Sequence, residues 1–210
     1  MQRALLLFLL AVGCATGPKR SSVVVVLGSS TAAGAGLADP STSWVNRYAT
    51  YLGPRARVHN LAVPGATTFA AQPSGKDADP AHNITAALAL HPDTIIINFP
   101  SNDAANGVPV DQTLANIATI VKLASDAHAT CWVATSQPRT LPPENAKLLL
   151  ELRDRVLHDY GNHAIDFFTP LAGPDNMLLP AVNQGDGIHP NPEGHRLLFE
   201  QVKRVVQPHT

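Results

Sequence analysis

Valine follows valine from Val23 to Val26, and isoleucine follows isoleucine from Ile95 to Ile97. Neither run alternates with polar residues, so each reads as a strand buried on both faces. "SVVVVL" (22–27), "ARVHNLAV" (56–63), "TIIINF" (94–99), "TCWVAT" (130–135) and a weaker "NHAIDFF" (162–168) read as five strands in all. Between them lie stretches with helical spacing. Trp44, Val45, Tyr48 and Leu52 share one face of 41–52, with Ser41 or Ser43 as cap. Residues 81–90 form a short helix, and Leu114, Ile117, Val121 and Ala124 line a stripe of 111–127. Leu149, Leu152 and Val156 do the same in 143–160, and Leu198, Val202 and Val205 in 192–206, which Asn191 caps. Strand and helix in alternation predict an α/β fold whose five-stranded parallel sheet is covered on both sides. Ligands of such sheets bind beyond the carboxyl ends of the strands. The segments that leave those ends are chemically unusual: "GSSTAAGAG", "NLAVPG", "FPSNDAANG" and "TSQPRTLPP", joined by "NQGDGIHPN" before the last helix.

The chain has 210 residues, enough for one domain with a substantial core. Fifteen basic against 16 acidic residues leave a net charge of −1, which excludes the basic footprint of a nucleic-acid partner. The first residues form a separate unit. Arg3 precedes an apolar run from Ala4 to Val12, shorter than the roughly 18 residues needed to span a bilayer. Residues 1–13 are therefore expected to be an export signal, 14–22 a tether and 23–210 the functional domain. "AVGC" resembles the lipobox of bacterial lipoproteins, which implies a lipid anchor on Cys14 and an envelope location. Ala11 stands where that pattern prefers leucine, so ordinary cleavage after Gly13 or Ala15, with secretion, is the alternative. Cys131, in an apolar run, reads as a small core residue.

The loop at 28–36 could wrap a phosphate or expose a nucleophile. A phosphate loop ends in Gly-Lys-Ser/Thr, yet no lysine occurs between Lys19 and Lys76. The dinucleotide pattern G-x-G-x-x-G is absent. The elbow G-x-S-x-G fails at Ala32. Asp186 and His189 stand three apart in a loop punctuated by Gly and Pro. That spacing suits an imidazole whose tautomer is set by a carboxylate, the requirement for a base acting on serine. Alone, the same residues describe a solvated acidic turn with an incidental histidine more readily.

Taken in order, "LGSSTAAGAG", "NLAVPG", "PSND" and "DGIHPNPEGH" resemble the four blocks of the SGNH hydrolases, the GDSL esterase/lipase superfamily. The resemblance spans the chain from the first strand to the last helix. It implies a flavodoxin-like three-layer α/β/α sandwich and an esterase working through an acyl-enzyme. It also implies Ser30 as nucleophile, Asp186 and His189 as its partners, and Gly65 and Asn102, with the Ser30 N–H, as the oxyanion hole. No metal or cofactor is implied. Two positions depart from the pattern. Ser29 replaces the family's aspartate, making it a second candidate nucleophile, and Pro100 replaces a glycine. Arg139, after the fourth strand, is a candidate contact for a polar or anionic substrate, or an ordinary solvated arginine. His189, Glu193 and His195 could suggest a metal site, but a helix cap and first turn explain them equally.

The expected substrate is a small-molecule or carbohydrate ester, with few aromatics and small residues around Ser30 favouring short acyl groups. Transfer to a sugar hydroxyl, or lysophospholipase or thioesterase activity, is the alternative. A non-catalytic surface-binding protein would have no need of Ser, His and Asp together.

Overall fold

A computed structural model describes residues 20–207. The expected leader and Cys14 lie outside the described residues. Five parallel strands form one sheet in the order β2-β1-β3-β4-β5. They are β1 (Ser22–Gly28), β2 (Ala56–Asn60), β3 (Thr94–Asn98), β4 (Thr130–Ala134) and β5 (Ala164–Ile165). The period-two geometry of a strand divides each apolar run between two cores. Val23, Val25, Leu27, Ile95 and Ile97 meet Ile117, Ile120, Leu152 and Val156 on one side. Val24, Val26 and Ile96 meet Trp44, Tyr48, Leu198 and Val202 on the other. The first layer contains α3 (Ile84–Ala89), α5 (Val110–Asp126) and α6 (Pro143–Tyr160). The second contains α2 (Trp44–Leu52) and α7 (Pro192–Val205). This is the three-layer arrangement that the alternating pattern predicts. Among the described residues, no helix is long and apolar enough to cross a membrane.

Capping explains where several helices begin. Ser43 accepts the Asn46 N–H at α2, Asn83 the Ala86 N–H at α3, and Asn191 the N–H groups of Glu193 and Gly194 at α7. The helix expected over 81–90 is shortened to α3, because residues 79–83 turn through Asp79 before Asn83 starts it. The fifth strand contracts to two residues. Its continuation is diverted when the Thr135 hydroxyl accepts the N–H groups of Phe167 and Phe168, and Asp166 those of Phe168 and Thr169.

Two short helices were not expected. Ser30–Ala33 forms a single turn, α1, directly after β1, and Pro100–Ala105 forms α4 after β3. Proline at the first position of α4 suits a helix start, since its fixed φ is already helical. Six residues without apolar periodicity give no pattern from which to read that helix.

Candidate active site

β1 delivers Ser30 to the carboxyl edge of the sheet. The Ser29 N–H bonds to Asn98 O at 3.2 Å, tying the strand end to β3, and the chain then turns into α1. A Cβ on Gly28 would lie 2.7 Å from the Ala32 Cβ, so the tight turn needs a glycine facing a small residue. Gly34, at φ +76°, ends the turn in the left-handed region. Ser29 is 4% exposed and packed inward. Ser30 is half-buried, and its Oγ lies 2.9 Å from His189 Nε2. The two candidate serines therefore differ in surroundings, and Ser30 alone contacts the histidine.

The Asp186–His189 loop is held largely by its own hydrogen bonds. Asp186 Oδ1 accepts the N–H groups of Ile188 and His189, both at 2.8 Å, while Oδ2 lies 2.6 Å from His189 Nδ1. Burial acts to raise the Asp186 pKa, but the backbone and side-chain hydrogen bonds of His189 and the Ile188 N–H outweigh it and hold the group at about 2. A carboxylate only accepts, so the proton of a neutral His189 resides on Nδ1 and the lone pair on Nε2 faces Ser30. Asn183 Oδ1 accepts from Gly185 and Gly187, and the loop after β4 braces the outside. There Thr140 N–H donates to Gly187 O at 2.7 Å, and Gln137 Nε2 to Ile188 O at 3.1 Å.

His195 lies one turn into α7. Its fully buried ring accepts the Trp44 N–H on Nδ1 at 3.2 Å, so it caps α2. Burial, with Arg47 and His189 nearby, pushes its pKa down to about 4 and leaves it neutral. Glu193 is paired with Arg196 at 2.6 Å. The groups considered for a metal thus have other partners.

The opposite wall is assembled from separate segments. The Val63 N–H bonds to Gly28 O, which brings the Gly65 loop beside the end of β1. Gly65 has φ +83° with open space where a Cβ would stand, so backbone conformation rather than crowding favours glycine there. Asn102, in α4, donates from Nδ2 to Ala66 O at 2.9 Å and accepts Arg139 Nη1 on Oδ1 at 3.2 Å. Arg139 Nη1 also donates to Ser101 Oγ at 2.9 Å. Behind Asn102, the wholly buried Asp103 accepts both the N–H and the hydroxyl of Thr68. Asn116 Nδ2 donates to Thr68 Oγ1 in turn. Burial raises the Asp103 pKa to about 6, against the hydrogen bonds of Thr68. The structure thus ties the segments of Gly65 and Asn102 to each other, with both beside the strand that carries Ser30. Reasoning from sequence missed Asp103 and Thr68. The adjacent Asn-Asp of "PSND" was the available signal.

A serine, a histidine with a fixed tautomer and a buttressed carboxylate at the carboxyl edge of a parallel sheet define an α/β serine hydrolase. The family model described as "GDSL-like Lipase/Acylhydrolase family" matches residues 26–197, and the chain belongs to this family, whose chemistry is hydrolysis of ester bonds. No curated protein matches it in sequence. Solved structures resemble it in fold. A protein described as lipolytic, of the G-D-S-L family from Desulfitobacterium hafniense DCB-2, has a TM-score of 0.73 at 23% identity, covering 89% of this chain and 100% of that one. The psychrotrophic esterase EstA from Pseudoalteromonas sp. gives 0.64 at 20% identity, over 88% and 96%. The M. smegmatis aryl esterase gives 0.67 at 17%, over 89% and 100%.

Proposed function

We propose that this enzyme hydrolyses carboxylic esters of short acyl groups, acetylated sugars or small esters, through an acyl-enzyme on Ser30. One observation carries the reading: the unbroken row Ser30 Oγ, His189 and Asp186, with contacts of 2.9 and 2.6 Å. His189 takes the Ser30 proton as Oγ attacks the carbonyl carbon, then returns it to the leaving alcohol. Water repeats the sequence on the acyl-enzyme, giving the free acid and regenerating Ser30. The Ser30 and Gly65 N–H groups and Asn102 Nδ2 stabilise the oxyanion, each such donor being worth about 3 kcal/mol. The short-acyl assignment is supported by the small residues that follow Ser30 (Thr31, Ala32, Ala33 and Gly34) and by the few aromatic residues of the chain.

The test is a chain-length series of nitrophenyl esters with the wild type, Ser29→Ala and Ser30→Ala. Rates should peak at acetate to butyrate, and Ser30→Ala should lose both turnover and fluorophosphonate labelling while Ser29→Ala keeps them. A maximum at long chains would reject the short-acyl assignment, and labelling on Ser29 would reject the nucleophile.

A further inference from the structure

Arg139 is engaged in a way that ordinary stability does not explain. It is half-buried at the rim, its Nε is sequestered from solvent without a hydrogen-bond partner, and Nη1 donates to two neutral oxygens, Ser101 Oγ and Asn102 Oδ1. Among the described residues no carboxylate pairs directly with it, and Asp186 is the acidic group whose charge reaches it. Burying a guanidinium without an ion pair costs free energy, and the few unsatisfied buried groups in native proteins concentrate where function needs them.

The neighbours of Asn102 show what that cost supports. The two ends of an amide side chain have nearly the same shape, so only their partners decide which one faces the substrate. Ala66 O can only accept and therefore selects Nδ2, while Arg139 can only donate and therefore selects Oδ1. The loop that carries Arg139 is itself fastened to the base-bearing loop through Thr140 and Gln137. One segment thus connects the carbonyls next to His189 with the amide of Asn102.

We propose that Arg139 is a positioning residue that locks the Asn102 amide with Nδ2 toward the oxyanion and polarises it for that charge. The inference rests on the assignment of Asn102 to the oxyanion site made above. A cation on the carbonyl end of the amide draws electron density from Nδ2–H and strengthens it as a donor. This action is realised only as negative charge develops on the substrate oxygen, so it appears in kcat.

The experiment measures kcat and KM on nitrophenyl acetate, a neutral ester that offers no carboxylate for an arginine to bind. The enzymes are wild type, Arg139→Met, Arg139→Lys, Asn102→Ala and the double variant Asn102→Ala/Arg139→Met. Arg139→Met should lower kcat about tenfold with KM little changed, less than loss of the whole donor because Ala66 O still holds Nδ2. Arg139→Lys keeps the charge and should recover a large part of the rate. In the Asn102→Ala background, Arg139→Met should have no further effect, which a general loss of packing would not reproduce. The inference is overturned by additive effects in the double variant, by a rise in KM with kcat intact, or by unchanged kinetics in Arg139→Met. Should Arg139→Met fail to fold, the uncharged Arg139→Gln and Asn102→Ala/Arg139→Gln pair applies the same additivity criterion. Failure of the underlying assignment looks different: Asn102→Ala alone would then turn over as fast as wild type.

Discussion

Asp186 and His189 occupy a loop whose decisive hydrogen bonds span three residues, whereas the wall that faces them is joined across far longer separations. Asn102 meets Ala66 across 36 positions, Asp103 meets Thr68 across 35, and Arg139 meets Asn102 across 37. Each wall also rests on a buried ionisable group of opposite kind. His195 follows the Asp186–His189 loop in sequence and Asp103 follows Asn102, the proposed oxyanion asparagine, and both are fully buried. The base side is therefore a preassembled unit that the fold has only to deliver. The wall proposed to hold the oxyanion exists only when three segments are docked. Local bonds survive small shifts of the scaffold, while a wall built from distant segments transmits them directly to the chemistry.

The contrast is tested most severely on the local side. Asp186→Asn should keep the loop, because an amide oxygen still accepts the N–H groups of Ile188 and His189. It should lower kcat by about 10⁴-fold, because the wrong tautomer faces Ser30 and the imidazolium loses its partner. Steady-state rates together with a thermal melt check both parts. A soundly folded variant within tenfold of wild type would show that the base does not depend on this carboxylate. With its pKa near 2, Asp186 stays ionised above about pH 4, so its contribution is constant across the neutral range.

On the distributed side the expected loss is smaller. Asn102→Ala removes one proposed oxyanion donor and should lower kcat about 10²–10³-fold with KM nearly unchanged. The same substitution also unties Ala66, so hydrogen exchange at residues 65–70 should accelerate while the Asp186–His189 loop stays protected. Equal acceleration in both loops would abolish the distinction between the walls.

The smallest effect concerns stability rather than rate. His195 titrates near 4 in the fold and near 6.5 when unfolded, so the unfolded chain binds more protons between those values. Its contribution is present above about pH 6.5 and lost on acidification toward pH 4, on the order of 3 kcal/mol in full. Asp103 acts in the opposite sense. Its folded pKa is raised from 3.8 to about 6, so the cost of burying its charge is present above pH 6 and relieved as the pH falls. The two opposing contributions should leave wild-type stability nearly level from pH 6.5 to 4.5. His195→Gln, whose amide oxygen can still accept the Trp44 N–H, should unmask Asp103 and gain stability on acidification. Urea midpoints at pH 4.5 and 6.5 measure it. Parallel slopes for the two proteins would mean that His195 does not titrate as a buried group.

The same division explains what could be read before the fold was known. Val23–Val26 and Ile95–Ile97 announce doubly buried strands because a parallel sheet leaves no polar face, and α6 begins and ends where its proline and apolar stripe place it. Asp186 and His189 were legible because their relationship is contained in four residues, and Ser30 through the blocks it shares with a family. Asp103 and Thr68 were not, since neither carries a local sign of its partner. Arg139 reads from the sequence as a contact for a polar or anionic substrate or as an ordinary solvated arginine. Whether its long side chain meets substrate, water or Asn102 depends on the packing of α4, a helix too short to have a periodicity. The fifth strand was read too long because the side chains of Thr135 and Asp166 compete for the N–H groups a ladder would use.

Ser30 and His189 are 159 positions apart, and that separation sets the timing of the enzyme's birth. A ribosome emits the serine 159 residues before the histidine, at about 5–20 residues per second, so roughly 10–30 seconds separate the two. Throughout that interval β1 can find β2 and then β3, yet the nascent chain holds an idle hydroxyl with no base to activate it. Catalytic competence therefore arrives in one late step, when the segment leading into α7 docks against the sheet edge. A chain that stops between the two is no half-built hydrolase: both ends of this separation must be present and docked before the first ester can be cut.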